Sequence, residues 1–216
     1  MNRNKPFVYS MAFLSLTVPA PGRFVFGIVL VLELILIEIF GVLSNALATK
    51  LKFGDIRTYF VMFIMISLTI LYRQLIAITY PEIVLSLGFI LYFPIASAYI
   101  LYNMFSDIDK PMGQRLKSNL IKTLKFSIAV LFFFLFRDIA GFGTFTFFGK
   151  GHRIFEKVIF NPDKIGLFTF FASIPGALIL MGVMIYLFIL FKNRVIYHVE
   201  GQEKITISEN KGEAEK

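Results

Sequence analysis

The sequence predicts an all-α, polytopic transmembrane helical bundle. Three observations carry that prediction. Of 216 residues, 57% are hydrophobic and only 17% charged. The apolar residues come in long unbroken blocks rather than being dispersed with the period of a half-buried helix or strand. Short charged loops separate the blocks. At about 1.5 Å of rise per residue, a block of about 20 residues crosses the hydrocarbon core of a bilayer.

Residues 1–23 are expected to form an N-terminal interfacial segment. Arg3, Lys5 and the apolar stretch Phe7 to Val18 have the outline of a signal peptide, with Val18-Pro-Ala as a small-residue cleavage site. Pro21 would follow the cut and is expected to block it, which favours a short interfacial helix leading into the first span. Residues 24–192 form the transmembrane domain, with five spans expected at about 24–49, 56–79, 82–105, 118–139 and 165–191. Interruptions are expected near 41–45, in the first span, and near 94–98, where Pro94 removes a backbone donor. Tyr80-Pro81 makes a tight turn between the second and third spans, because the residue before proline avoids the helical region. A glycine-rich connection from Gly141 to Lys164 is apolar without helical pattern, so it lies in the interface or folds back into the protein. Residues 193–216 form a polar tail expected to be disordered.

The chain has no cysteine, which excludes disulfides, thiolate metal sites and cysteine-ligated clusters. Its two histidines, His152 and His198, are both expected outside the lipid. No metal site, cofactor or catalytic constellation is expected. The formal charge of +8 is assigned to orientation by the positive-inside rule, not to nucleic acid. Lys50, Lys52, Arg57, Lys110, Arg115 and Lys117 share a side with the C-terminus and stand in short loops, so the C-terminus is expected in the cytoplasm.

The candidate functional residues are polar groups inside apolar spans. Glu33 and Glu38 are carboxylates in the first span, and burying a carboxylate in lipid costs several kcal/mol unless it is paired, protonated or wet. Glu38, Asn45 and Thr49 share a helix face, and Glu33 lies roughly 140° round from Glu38. The face reads as an ion or proton pathway, or equally as a structural contact to another subunit or a neutral buried carboxylate. Arg73 and Gln74 lie near the end of the second span. Arg73 either snorkels to the interface or pairs with Glu33 or Glu38. Arg137 and Asp138 close the fourth span; adjacent residues do not face each other on a helix, so each is expected to have its own partner. Lys122 and Lys125, near the start of that span, are expected to snorkel.

These stretches resemble the small integral-membrane subunits of the Rnf and sodium-translocating NADH:quinone reductase (Nqr) complexes. Val29 to Lys50 is similar to the first interrupted helix of those subunits, with Leu43 where a cysteine stands. Tyr80-Pro81 and Leu87 to Ala98 are similar to the second, with Ala98 (or Pro94 in a shifted register) at the second cysteine. Phe136-Arg-Asp-Ile-Ala-Gly resembles the segment closing the fifth helix, and Asp163 to Phe191 the last helix. The resemblance implies an accessory membrane subunit of an ion-translocating electron-transport complex in a bacterial inner membrane, non-catalytic and among other integral-membrane partners. Two departures stand out. Both positions of the family's 2Fe–2S ligands lack cysteine, so the cluster is not held here. Between Lys50 and Arg57 there is also no room for the family's second helix. A small cation or solute transporter on the same scaffold, or a purely structural membrane protein, is the alternative.

Overall fold

In the computed structural model, residues 5–101, 111–149, 153–160, 168–186 and 190 are described. The architecture is an all-α helical bundle with one small hairpin. Helix α1 spans Lys5–Thr17 and α2 Phe24–Lys50. A single 3₁₀ turn, Gly54–Ile56, leads into α3, Arg57–Thr79. Then come α4 (Pro81–Leu87), a 3₁₀ stretch (Gly88–Tyr92) and α5 (Phe93–Leu101), followed by α6 (Met112–Phe142). Strands β1 (Thr144–Phe148) and β2 (Ile154–Val158) pair antiparallel, with Phe147 opposite Phe155 and Phe145 opposite Lys157. A 3₁₀ turn, Phe168–Ala172, precedes a shorter apolar helix, α7 (Ile174–Tyr186).

Among the described residues, four elements are long and apolar enough to cross a membrane: Phe24–Lys50, Gly54–Thr79, Pro81–Leu101 and Met112–Phe142. The chain is a membrane protein with transmembrane helices. The expected fifth span, 165–191, lies partly outside the described residues, and its described part holds the apolar helix α7. The expected tail from 193 and both histidines fall outside the described residues. The chain divides into two units, Met1–Leu178 and Ile179–Lys216, and the bundle with its hairpin lies in the first.

Helix α2 is the centre of the bundle, packing on α6, α3 and α5, with Val25, Val29, Leu30, Leu34 and Ile37 fully buried. It runs without a break through 41–45, so the interruption expected there is absent. The physical reason is local. That stretch contains no proline, so every residue keeps its amide donor, and the Ser44 hydroxyl donates back to the Phe40 carbonyl at 2.6 Å instead of competing for a turn. The second interruption exists but lies earlier than 94–98. Gly88 takes φ +50, a region open to glycine, and the helix resumes at Phe93. Pro94 is the second residue of α5, where its missing amide has no intrahelical partner to lose.

Helices α2 and α6 run antiparallel. A Cβ added at Gly27 would stand 2.6 Å from the Phe134 ring, so the absence of a side chain at Gly27 lets the two helices close. Helix α1 packs on α5, where the Ser15 and Ser97 hydroxyls are 2.8 Å apart and Ser97 donates to the Ala12 carbonyl at 3.0 Å. The Gly141 connection begins with Gly143 in the left-handed conformation, which ends α6 and turns the chain into β1.

Candidate functional site

The bundle interior holds two buried carboxylates from one helix. Glu33 and Glu38 are each 1% exposed. Five residues apart, they are separated by about 7.5 Å along the axis and face different neighbours. Glu33 turns toward α3, where Thr69 is its polar neighbour and the Tyr72 ring lies close by. The Tyr72 hydroxyl donates to the Val29 carbonyl at 2.9 Å, one turn before Glu33. Glu38 turns toward α6, where the Lys122 ammonium acts on it electrostatically. Neither carboxylate accepts a hydrogen bond of good geometry from a described residue, and the Thr69 hydroxyl also falls short of one.

Helix α6 adds a buried polar stripe. Arg115, Asn119, Thr123 and Ser127 are at most 3% exposed and recur every four residues, which keeps them on one slowly turning face over about 18 Å. The hydroxyls of Thr123 and Ser127 make no hydrogen bond with a described residue. Asn45, also buried, lies two turns beyond Glu38 on α2. Thr49 ends this face exposed and donates to the Asn45 carbonyl at 2.8 Å. A buried unsatisfied hydroxyl costs about 1–3 kcal/mol, so the buried Thr123 and Ser127 hydroxyls are costly to keep in an otherwise apolar interior.

Nearer the other end of α6, Arg137 and Asp138 form a second buried cluster. Arg137 is 1% exposed and donates only to backbone carbonyls: Thr17 (3.0 Å) and Ala20 (2.7 Å) after α1, and Phe171 (3.1 Å), Ala172 (3.0 Å) and Ser173 (3.4 Å). Carbonyls at the end of a helix carry partial negative charge, which is what a buried guanidinium without a carboxylate requires. Asp138 accepts from the Phe24 amide at 3.1 Å, capping α2 at its start. It also accepts from the Thr146 amide (2.8 Å) and from the Thr144 and Thr146 hydroxyls (3.0 and 2.7 Å), which seats the hairpin. Every acceptor and donor in this cluster belongs to the chain's own fold, so it is a fastening.

The remaining candidates separate from the interior. Arg73 and Gln74 are exposed on α3, and Arg73 makes no ion pair with Glu33 or Glu38; the pairing idea fails because the side chain faces outward. Lys122 is half-buried and acts electrostatically on Glu38, a relationship the sequence reading does not include. Leu43 is exposed and Ala98 fully buried, so the two positions likened to cluster ligands do not share one enclosed place. Among the described residues no group of three or more histidine, aspartate or glutamate side chains is arranged to hold a metal ion. The α6 stripe is visible in the sequence as polar residues at steps of four from Arg115 to Ser127; Thr69 and Tyr72 carry no comparable signal.

The fold and this interior define a class: a polytopic membrane protein with ionisable groups enclosed between its spans. No family model matches the chain, and neither a curated protein nor a solved structure matches it.

Proposed function

We propose that this chain is a small transmembrane cation transporter in which Glu33 and Glu38 bind the moving proton or metal cation. The observation that carries the reading is the pair of carboxylates, each 1% exposed and neither accepting a hydrogen bond of good geometry from a described residue, with Thr69 next to Glu33 and Lys122 acting on Glu38. A structural carboxylate would be expected to have its acceptor sites filled, as Asp138 has. Intramembrane acids that are held ready, and not satisfied, are the usual mark of an ion or proton path. The basic residues Lys50, Lys52 and Arg57 favour the cytoplasm for that end, with a bacterial cytoplasmic membrane as the site of residence. The test is flux through purified protein in liposomes, with pH-sensitive and sodium-sensitive dyes inside. Glu38→Gln is expected to abolish uptake while the protein still elutes and melts as a folded species. Uptake unchanged in both Glu33→Gln and Glu38→Gln would refute the reading.

A second reading makes the chain an accessory membrane subunit of a Rnf- or Nqr-like ion-translocating electron-transport complex. What favours it is the outer face of α3, where Arg73 and Gln74 are exposed among apolar residues. A neighbouring subunit would satisfy them better than lipid does. Affinity purification from native membranes in mild detergent distinguishes the two: redox subunits in fixed ratio support the complex, and recovery alone supports the transporter.

A further inference from the structure

The β1–β2 hairpin packs over one end of the bundle. Phe24, which opens α2, stacks on Phe145 at 5.4 Å, and Tyr80, between α3 and α4, lies against Phe148 at 5.1 Å. Helix α6 delivers the chain into β1 at the same end. Three spans therefore terminate beneath the hairpin, which sets it at the boundary of the membrane.

Its two faces differ in chemistry. The inner face carries Thr144 and Thr146, buried on Asp138. The opposite, outer face carries the exposed Phe147, Phe155 and Lys157, with Phe145 half-buried against Phe24 at its edge. Phe145 and Phe147 stack with an interplanar angle of 9°. Phe147 and Phe155, directly opposite across the strands, are 44% and 53% exposed. Past the end of β2, Ile159 and Phe160 add exposed apolar surface. Glu156 is already paired with Arg23 at 3.1 Å, so Arg153 and Lys157 are the hairpin's uncompensated charges among the described residues.

We propose that the outer face of this hairpin is a lipid-binding surface. Phe147 and Phe155 enter the boundary between headgroups and acyl chains, and Arg153 and Lys157 meet lipid phosphates. An aromatic ridge of this kind facing water would be an apolar patch without an occupant. At the edge of a bilayer the same ridge is continuous with the lipid-facing surface of the spans, and the basic residues stand at the height of the phosphates.

The chain contains no tryptophan, so one introduced tryptophan reports alone. The full chain carrying Phe155→Trp is reconstituted into phosphatidylcholine–phosphatidylglycerol vesicles, with Phe147→Trp as a second reporter and Leu71→Trp on the exposed face of α3 as a deep reference. Lipids spin-labelled close to the headgroup are expected to lower the emission of the Phe155→Trp variant about twofold, with little quenching by aqueous iodide. Emission typical of water, quenched by iodide and indifferent to spin-labelled lipid in both hairpin variants, would overturn the proposal and leave the ridge to a soluble partner. Quenching only by lipid labelled deep in the chains, as for the Leu71→Trp reference, would overturn the boundary position. The outcome is independent of ion flux.

Discussion

Arg137 and Asp138, neighbours in sequence, hold opposite ends of two consecutive helices. The guanidinium of Arg137 takes the carbonyls of Thr17 and Ala20 where α1 finishes, and the carboxylate of Asp138 takes the Phe24 amide where α2 begins. Each charge meets the pole of the helix dipole that suits it. The two groups need not pair with each other, and the turn between α1 and α2 is clamped from both sides.

Removing the guanidinium is expected to be severe. Arg137→Met strands five carbonyls and should lower stability by about 3 kcal/mol or more, read as thermal unfolding in detergent. Arg137→Lys should recover little, because a compact ammonium cannot reach both carbonyl groups as a planar fork does. A lysine variant that melts like the parent would rule out the fork.

Gly22 is expected to share this role without any contact of its own chemistry. A Cβ there would lie 2.7 Å from Cγ of Arg137. Gly22→Ala should cost about 1–3 kcal/mol by displacing the guanidinium. Combined with Arg137→Met its effect should largely vanish, and a double-mutant cycle measures that coupling.

Asp138→Ala frees the first amide of α2 and unseats the hairpin. The expected loss is about 1–3 kcal/mol, with faster hydrogen exchange at the Phe24 and Thr146 amides. Exchange that quickens only at Phe24 would mean that the hairpin is held by Phe24, Tyr80 and their ring contacts alone.

The carboxylates should behave in the opposite way. Glu38→Gln is expected to abolish flux while leaving thermal stability equal or higher, since a buried charge is removed. Lys122→Met alone should destabilise by leaving Glu38 without its counter-charge, and the double variant should be milder than the Lys122 single. Additive destabilisation would show that the two side chains do not act on each other.

Orientation is accessible because the chain lacks cysteine. Single cysteines at Lys52 and Arg153 should react with an impermeant thiol reagent from opposite sides of the membrane. Lys52→Cys is expected to label only from the cytoplasm.

The spans were legible because hydropathy over twenty residues outweighs any single side chain. Where the chain breaks was harder to read. Gly41, Ser44 and Asn45 have the composition of a break, yet α2 runs through them because the serine hydroxyl folds back on its own helix. Gly88 does break the helix while sitting in an apolar run, and Pro94 nearby draws the eye instead. The stretch after Gly141 reads as non-helical, but the β1–β2 hairpin that its Thr-Phe-Thr-Phe alternation forms is not part of the all-α expectation. The bond from Asp138 to the start of α2 joins residues 114 positions apart, and nothing local encodes that. For the interior, Glu33 and Glu38 stand out by type alone. Lys122 does not, because a lysine near a span end ordinarily reaches for the interface.

Polarity inside the bundle is unevenly spread along its axis. From Arg115 to Ser127 on α6, and from Asn45 to Glu33 on α2, polar groups recur. Between them and the buried Arg137–Asp138 cluster lies an apolar layer that includes Val130, Phe133 and Phe134 on α6 and Leu30, Val29 and Phe26 on α2, with Phe134 set into the notch at Gly27. The interior polar groups of α2 and α6 therefore gather toward the Lys50 end, and an apolar layer with Phe134 in it separates them from the hairpin end. If the transporter reading holds, an ion bound at Glu33 would leave toward the hairpin only once Phe134 had moved out of its notch at Gly27. On that reading the layer requires one rearrangement per ion, the behaviour of a carrier.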